Sequence, residues 1–430
     1  MKILIQCIIK TLSKGYVLRY LLTILLFALN LWAVDATLTI EKDVEQRARV
    51  ALEDGSASFN DALFSLWVSD LKISGHFLPD MTPYTGTFSA PITDPSEKSK
   101  EYVIKYKLEQ AGVTKLSVRL LQASNNKEIF TKHYAINRAS KLPFLVHRAV
   151  TDINRVLKYP SIEWINRYVI YARYTTPRHS EIVLADYTLS YQKTIIRGGL
   201  NLFPIWADRK QTSFYYTSYR GLVPTLYRLN IYTGAKQKIA ASEGMMVCSD
   251  VSRDGKKLLL TMAPSGQPDI YELDLATRVK RRVTRFNGID VGGKYVDDER
   301  RIVFVSNRLG YANIFQKSID GSAVSQVVYH GRNNNACDAY GKRVIYASRE
   351  SSSTFGNNTF NIYLTQLDST GTQPLTTTGS NQFPRFGADG SVVLFIKRTG
   401  SGSSIGYINL MSHQSVHFPI EGRKIQSIDW

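Results

Sequence analysis

Cysteine is scarce, with three in 430 residues and none in a CxxC pair. A disulfide-stapled scaffold and a thiolate zinc site are therefore not expected. The seven histidines form no H-E-x-x-H motif, and no Cys or carboxylate near them supplies zinc spacing. Phosphate-cradling loops of the GxxxxGK[ST] and GxGxxG types are absent as well. Acid is in deficit, 36 Asp and Glu against 54 Lys and Arg, for a formal net charge of +18. Such an excess suits nucleic acid, anionic lipid or an acidic partner. No arginine-rich run or RNA-binding aromatic motif accompanies it, so a basic solvated surface is expected and no nucleic-acid partner.

What is present is an ordinary globular composition, 43% apolar and 21% charged, with 25 tyrosines and 18 phenylalanines leaning toward β-structure. A chain this long exceeds one compact core and predicts two domains. Its first 33 residues read as a signal peptide. Cations up to Arg19 precede an apolar stretch over residues 21–29, and small residues follow at Ala33 and Ala36. The uncharged run is short for a membrane span, although a retained anchor is the competing reading. The basic region is longer than a leader needs, which places a start of translation near Val17. Cys7 would leave with the leader. Cys248 and Cys337 are expected as two isolated buried thiols.

Residues 34–158 predict a small α/β domain. Phe59, Leu63, Leu66, Trp67 and Leu71 recur at helical spacing, with Asn60 or Ser58 as cap and Ser74-Gly75 as stop. Residues 79–100 are rich in Pro, Ser, Thr and Gly and read as a loop. Strands are expected over 102–108, 115–123 and 128–136, then a helix over 142–157 with Pro143 in its first turn. Tyr159-Pro160-Ser161 marks the boundary.

Over residues 159–430 the helical period gives way to a repeat of about 42–47 residues, the size class of a four-stranded propeller blade. One apolar strand recurs near Tyr168, Ser213, Leu258, Ile302, Val344 and Val392, and a second strand follows each. A third, shorter strand ends at Gly198, Gly244, Gly288, Gly331, Gly379 and Gly422. A further strand precedes each unit, anchored at Trp164, Trp206, Val251, Tyr295, Ala339 and Phe386, with a seventh anchor at Trp430. The predicted fold is mainly β: a six-bladed β-propeller preceded by the α/β domain. The segment 424–430 resembles the opening of a blade that never continues. It is expected to return to blade one as its inner strand and close the ring.

Catalytic chemistry is hard to find. Gly402-Ser403-Ser404-Ile405-Gly406 satisfies G-x-S-x-G, but a nucleophile elbow needs a helix after it and Asp and His downstream. The match falls in a Gly/Ser-rich hairpin with 24 residues remaining, which include His413 and His417. Asp297-Asp298-Glu299 reads as a solvated turn rather than a calcium loop. Asn357-Asn358-Thr359 is a glycosylation triplet with no expected role. No catalytic residue, metal or cofactor is expected.

The remaining functional signal is shape. Loops joining the outer strand of one blade to the inner strand of the next converge on one mouth. They carry Asn201, Phe203, Met245, Met246, Cys248, Asp290, Val291, Asn333, Asn334, Asn335, Asn381 and Phe383. Aromatic, Met and Asn side chains suit protein recognition, while ordinary turn chemistry is the alternative for the asparagines.

These blades resemble those of the TolB family, whose signature runs P-x-W-S-P-D-G, strand, I-Y, T-G turn. The signature survives as Phe203-Pro204-Ile205-Trp206, Ser252-Arg253-Asp254-Gly255, Asp269-Ile270-Tyr271, Tyr232-Thr233-Gly234 and Phe383-Pro384-Arg385-Phe386-Gly387-Ala388-Asp389-Gly390. The helix running into Ser74-Gly75-His76-Phe77 is similar to the family's first domain. Likeness covers nearly the whole exported chain; a Pro-rich loop start is missing before Val251 and Tyr295, and blade four lacks the D-G turn.

The resemblance implies a periplasmic monomer without covalent chemistry. It implies a propeller mouth for a Pal-like peptidoglycan-associated lipoprotein. A mature N-terminal segment would bind a TolA-like inner-membrane protein, here through Val34, Ala36, Leu38 and Ile40, whose alternation suits an added strand. A peptidase or esterase built on a prolyl-oligopeptidase-like propeller, and a propeller holding a small ligand or metal, are the competing function classes.

Overall fold

The computed structural model describes residues 47–350, 359–400, 402–420 and 422–430. The expected leader and the segment carrying Val34, Ala36, Leu38 and Ile40 lie outside them, as do Asn357 and Asn358. Among the described residues no helix is long and apolar enough to cross a membrane.

The first layer is built on β1 (Ala48–Asp54), which pairs in parallel with β2 (Phe77–Pro79), β3 (Tyr84–Thr85) and β4 (Tyr102–Ala111). β4 continues as an antiparallel meander into β5 (Val113–Gln122) and β6 (Glu128–Ile136). Alternation along β1 splits its side chains. Ala48, Val50 and Leu52 face helices α1 (Asp61–Ser74) and α2 (Leu142–Val156), whereas Ala51 faces Ile92 of the Pro/Ser-rich loop. That loop therefore covers the second face of the sheet. Asn60 is the cap of α1, its side chain accepting from Leu63 N at 3.0 Å, and Gly75 at φ +80° ends it in the left-handed region.

Six four-stranded sheets follow. Their inner strands are Asn201–Trp206, Met246–Val251, Asp290–Val296, Arg332–Tyr340 and Ser380–Phe386 in blades two to six. In blade one the inner strand is the chain's tail, Ile425–Asp429, with Ile428 opposite Tyr171 and Asp429 opposite Ile170. Each second strand is buried on both faces, which is why it reads as an unbroken apolar run. In blade two, Phe214 and Tyr216 pack on Ile170 and Ala172 of blade one, and Tyr215 packs with Leu258 and Leu260 of blade three. The same alternation carries Leu259 to Ile302 and Phe304, and Leu394 and Ile396 back to Tyr171.

One anchor differs from expectation. Trp164 does not sit on a strand of blade one but in a short helical turn, Glu163–Asn166. The returning tail occupies the inner-strand place, and the Trp164 ring packs 5.6 Å from Trp430 and 5.5 Å from Tyr187, beneath the closure.

The two layers share one continuous apolar core, and a charged group lies inside it. His147 of α2 bonds through Nδ1 to Asp70 Oδ2 of α1 at 2.7 Å and through Nε2 to Asp186 Oδ2 of blade one at 3.2 Å. Tyr187 donates its hydroxyl to Asp70 Oδ1 at 2.5 Å. All three charged side chains are fully buried. Burial alone would pull His147 down, but the two carboxylates outweigh it and raise it to about 9.

Candidate partner-binding mouth

Every inner strand carries a bulge a few residues from its start: between Leu202 and Ile205, Cys248 and Asp250, Val291 and Lys294, Asn335 and Asp338, Gln382 and Arg385, and Ile425 and Ser427. A bulge re-aims the side chains around it, so this ring of bulges sets what faces the channel. At two of them a phenylalanine before proline is forced into the left-handed region, Phe203 at φ +55° and Phe383 at +54°. Glycine (Gly292, +67°) or alanine (Ala336, +49°) takes the corresponding left-handed conformation in blades four and five, where glycine adopts it without strain.

Phe203, Met245, Cys248, Val291, Asn335 and Phe383 together line one cavity of about 440 Å³ at this mouth, with Val247, Val305 and Cys337. Met245 is 42% exposed and the two phenylalanines are half-buried. Cys248 and Cys337 stand as free buried thiols in blades three and five. Burial pushes both thiols up, Cys337 to about 12, which suppresses the reactive thiolate.

The other mouth residues are placed differently. Asn201, Met246, Asp290, Asn334 and Asn381 are all buried to 2% exposure or less, so their side chains do not reach the surface. The asparagines brace the turns they stand in. Asn201 Nδ2 donates to Gly198 O at 2.8 Å, Asn334 Nδ2 to His330 O at 2.8 Å, and Asn381 Nδ2 to Thr378 O at 2.8 Å. Asp290 is held by Arg308 at 3.0 and 3.1 Å. Asn333, half-buried at φ +58°, does not line the cavity.

A propeller reading implies a central channel, but sequence reasoning missed the side chains that line it below the mouth. The residue before each anchor faces it: Asp429, Ile205, Asp250, Lys294, Asp338 and Arg385 in blades one to six. All six pair at one register, to Ile170, Tyr215, Leu259, Val303, Ile345 and Leu394. Aspartate occupies the odd blades, and each one accepts the anchor N–H of the next blade. Asp429 Oδ2 takes Trp206 N at 2.8 Å, Asp250 Oδ2 takes Tyr295 N at 2.7 Å, and Asp338 Oδ2 takes Phe386 N at 2.8 Å.

Cations fill blades four and six. Lys294 Nζ lies 3.0 Å from Asp338 Oδ1, and Arg385 Nε lies 3.8 Å from Asp429 Oδ1. Desolvation in the channel pushes Asp250 up to about 6, with Lys294 opposing it and Asp338 adding to it. Lys294 and Arg385 also reach the mouth cavity. The anchors were visible in the sequence, and reading one residue upstream of each would have found this ring.

Ser404 sits within the strand Ser403–Asn409, opposite Lys397 and Pro419, and no strand-turn-helix elbow is formed there. Among the described residues no three His, Cys, Asp or Glu side chains are grouped to hold a metal ion.

The family model described as "TolB beta propeller domain" matches residues 166–430. A protein of Wolinella succinogenes named "Tol-Pal system protein TolB" is 43% identical over 429 residues, covering 96% of this chain and all of that one. The chain belongs to the TolB family. A relative of the same name from Campylobacter jejuni is 38% identical over 412 residues, 94% of this chain and 98% of its own. The crystal structure of TolB from Acinetobacter baumannii superimposes with a TM-score of 0.74 at 21% identity, covering 90% of this chain and 96% of that one, and so shares the fold. The family match thus begins at the last residue of the helical turn that holds Trp164. The curated TolB relatives carry the name of a Tol–Pal system protein rather than of an enzyme.

Proposed function

We propose that the chain is a non-catalytic periplasmic adaptor of the Tol–Pal system. Its propeller mouth takes a Pal-like peptidoglycan-associated lipoprotein, and its mature N-terminal segment takes a TolA-like inner-membrane protein. In this role it supports outer-membrane integrity and envelope constriction at division. The observation that carries the reading is the pair Phe203 and Phe383. A bulky residue at positive φ costs about 1–3 kcal/mol of backbone strain, and such strain collects at ligand clamps. Here both strained rings line an apolar, half-open cavity beside an exposed methionine. Rings and thioether offer adaptable apolar contact area, and the polar channel beneath fixes the blades that present them.

Pull-down from envelope extracts at low salt, with the exported chain as bait, tests the reading. Recovery of an OmpA-like lipoprotein is expected, and a Phe203→Ala, Phe383→Ala double variant should lose it. Retrieval of no such lipoprotein by the unaltered chain would refute the assignment.

A further inference from the structure

A second concave site lies away from the mouth, at the seam between the α/β domain and the first two blades. It is a groove of about 380 Å³, within the size range of small-molecule sites. Its cations come from three separate elements. Arg138 follows β6, Lys141 precedes α2, and Lys193 lies on the outer strand of blade one, Gln192–Ile196. Three tyrosines share the lining: Tyr168 and Tyr191 of blade one and Tyr232 in a hairpin of blade two. No Asp or Glu is among the described residues that line it. Three positive charges without a carboxylate opposite them create a local potential that favours an anion.

The groove is also shaped. Lys141 donates to the Tyr168 hydroxyl at 3.0 Å, and its ammonium stands 5.7 Å over that ring, so neither is free to swing. Tyr168 and Tyr191 sit 6.2 Å apart, ring to ring, and are tilted. Tyr232 is 66% exposed, a large apolar ring turned outward with nothing covering it. Apolar contact is supplied from below by Leu184 and Ile195. Aromatic rings with hydroxyls at their edges suit the C–H face of a pyranose, whose own hydroxyls need polar partners. The three cations suit an acidic substituent on that ring.

We propose that this seam binds an anionic saccharide, a sugar ring bearing a carboxylate or a phosphate. The site is separate from the mouth and does not depend on what the mouth binds. Calorimetric titration of the exported chain with four probes tests it: N-acetylmuramic acid, N-acetylglucosamine 6-phosphate, neutral N-acetylglucosamine and inorganic phosphate. One or both charged sugars should bind saturably. The neutral sugar should bind at least about tenfold more weakly, the loss expected when charge-assisted hydrogen bonds are removed. Whichever acidic sugar binds tells carboxylate from phosphate.

Arg138 and Lys193 are exposed, so an Arg138→Gln, Lys193→Gln variant should keep its melting temperature while losing affinity. Tyr232→Ala should weaken the sugars and leave phosphate unchanged. The proposal is overturned if neither charged sugar binds, if the neutral sugar binds as well as they do, or if phosphate alone matches them. It is equally overturned if the double glutamine variant binds them unchanged.

Discussion

Replacing His147 by alanine should cost the protein about a fifth of its stability or more. The imidazolium bonds to Asp70 and Asp186 at 2.7 and 3.2 Å with no solvent access to any of the three. Removing it strands two carboxylates in the interior, and breaking a buried pair in this way costs about 3–5 kcal/mol. Against a typical total of about 5–15 kcal/mol, the loss is large.

Linkage supplies a second route to the same figure. His147 is raised from 6.5 to about 9, so its contribution is fully present below pH 6.5 and is lost as pH rises through 9. A shift of that size corresponds to about 3 kcal/mol. Urea unfolding of the protein at pH 6, 7.5 and 9.5 measures both quantities. The native protein should weaken across this range, and His147→Ala should be the weaker of the two at pH 6 and 7.5, where the native imidazolium is still charged. A further variant separates charge from packing. His147→Leu combined with Asp70→Asn and Asp186→Asn should recover most of the loss, because no uncompensated charge is left inside. An alanine variant within about 1 kcal/mol of the native protein, or a native profile flat from pH 6 to 9.5, would refute the reasoning.

Other consequences can be measured in the same preparations. Deleting residues 424–430 removes the inner strand of blade one and the clamp from Asp429 to Trp206, so the ring should unfold cooperatively at a much lower temperature; a fall of only a degree or two would argue against closure by the tail. Asp250→Asn keeps an acceptor for Tyr295 N. The raised carboxyl favours the folded state only as pH falls below about 6, so the variant should gain stability over the native protein from pH 5 to pH 8, and an unchanged difference across that span would contradict the channel reading. Cys248 and Cys337 should react with a thiol reagent at the rate of global unfolding, because burial holds both as neutral thiols; fast labelling of native protein at pH 8 would show the mouth to be more open than described.

The sequence by itself determined the architecture. The repeat of four strands, the helix bounded by Asn60 and Gly75, and the unfinished blade at Ile425–Asp429 are local signals: periodicity, capping chemistry and a surplus strand needing a partner. The place of Met245, on an exposed loop at the mouth, was legible for the same reason.

Tertiary structure alone decided which polar groups are structural. Asn201, Asn334 and Asn381 stand in turn-forming stretches much like exposed ones, and only the surrounding carbonyls make them buried braces. Asp70, His147 and Asp186 are far apart in the chain, and nothing in their local spacing joins them. The channel ring was hidden more subtly. A strand's side chains alternate faces, and one bulge reverses the alternation beyond it. Six bulges decide that Asp429, Asp250 and Asp338 reach the neighbouring blades, and each clamp needs a partner supplied by the next blade, which for Asp429 exists only once the ring has closed.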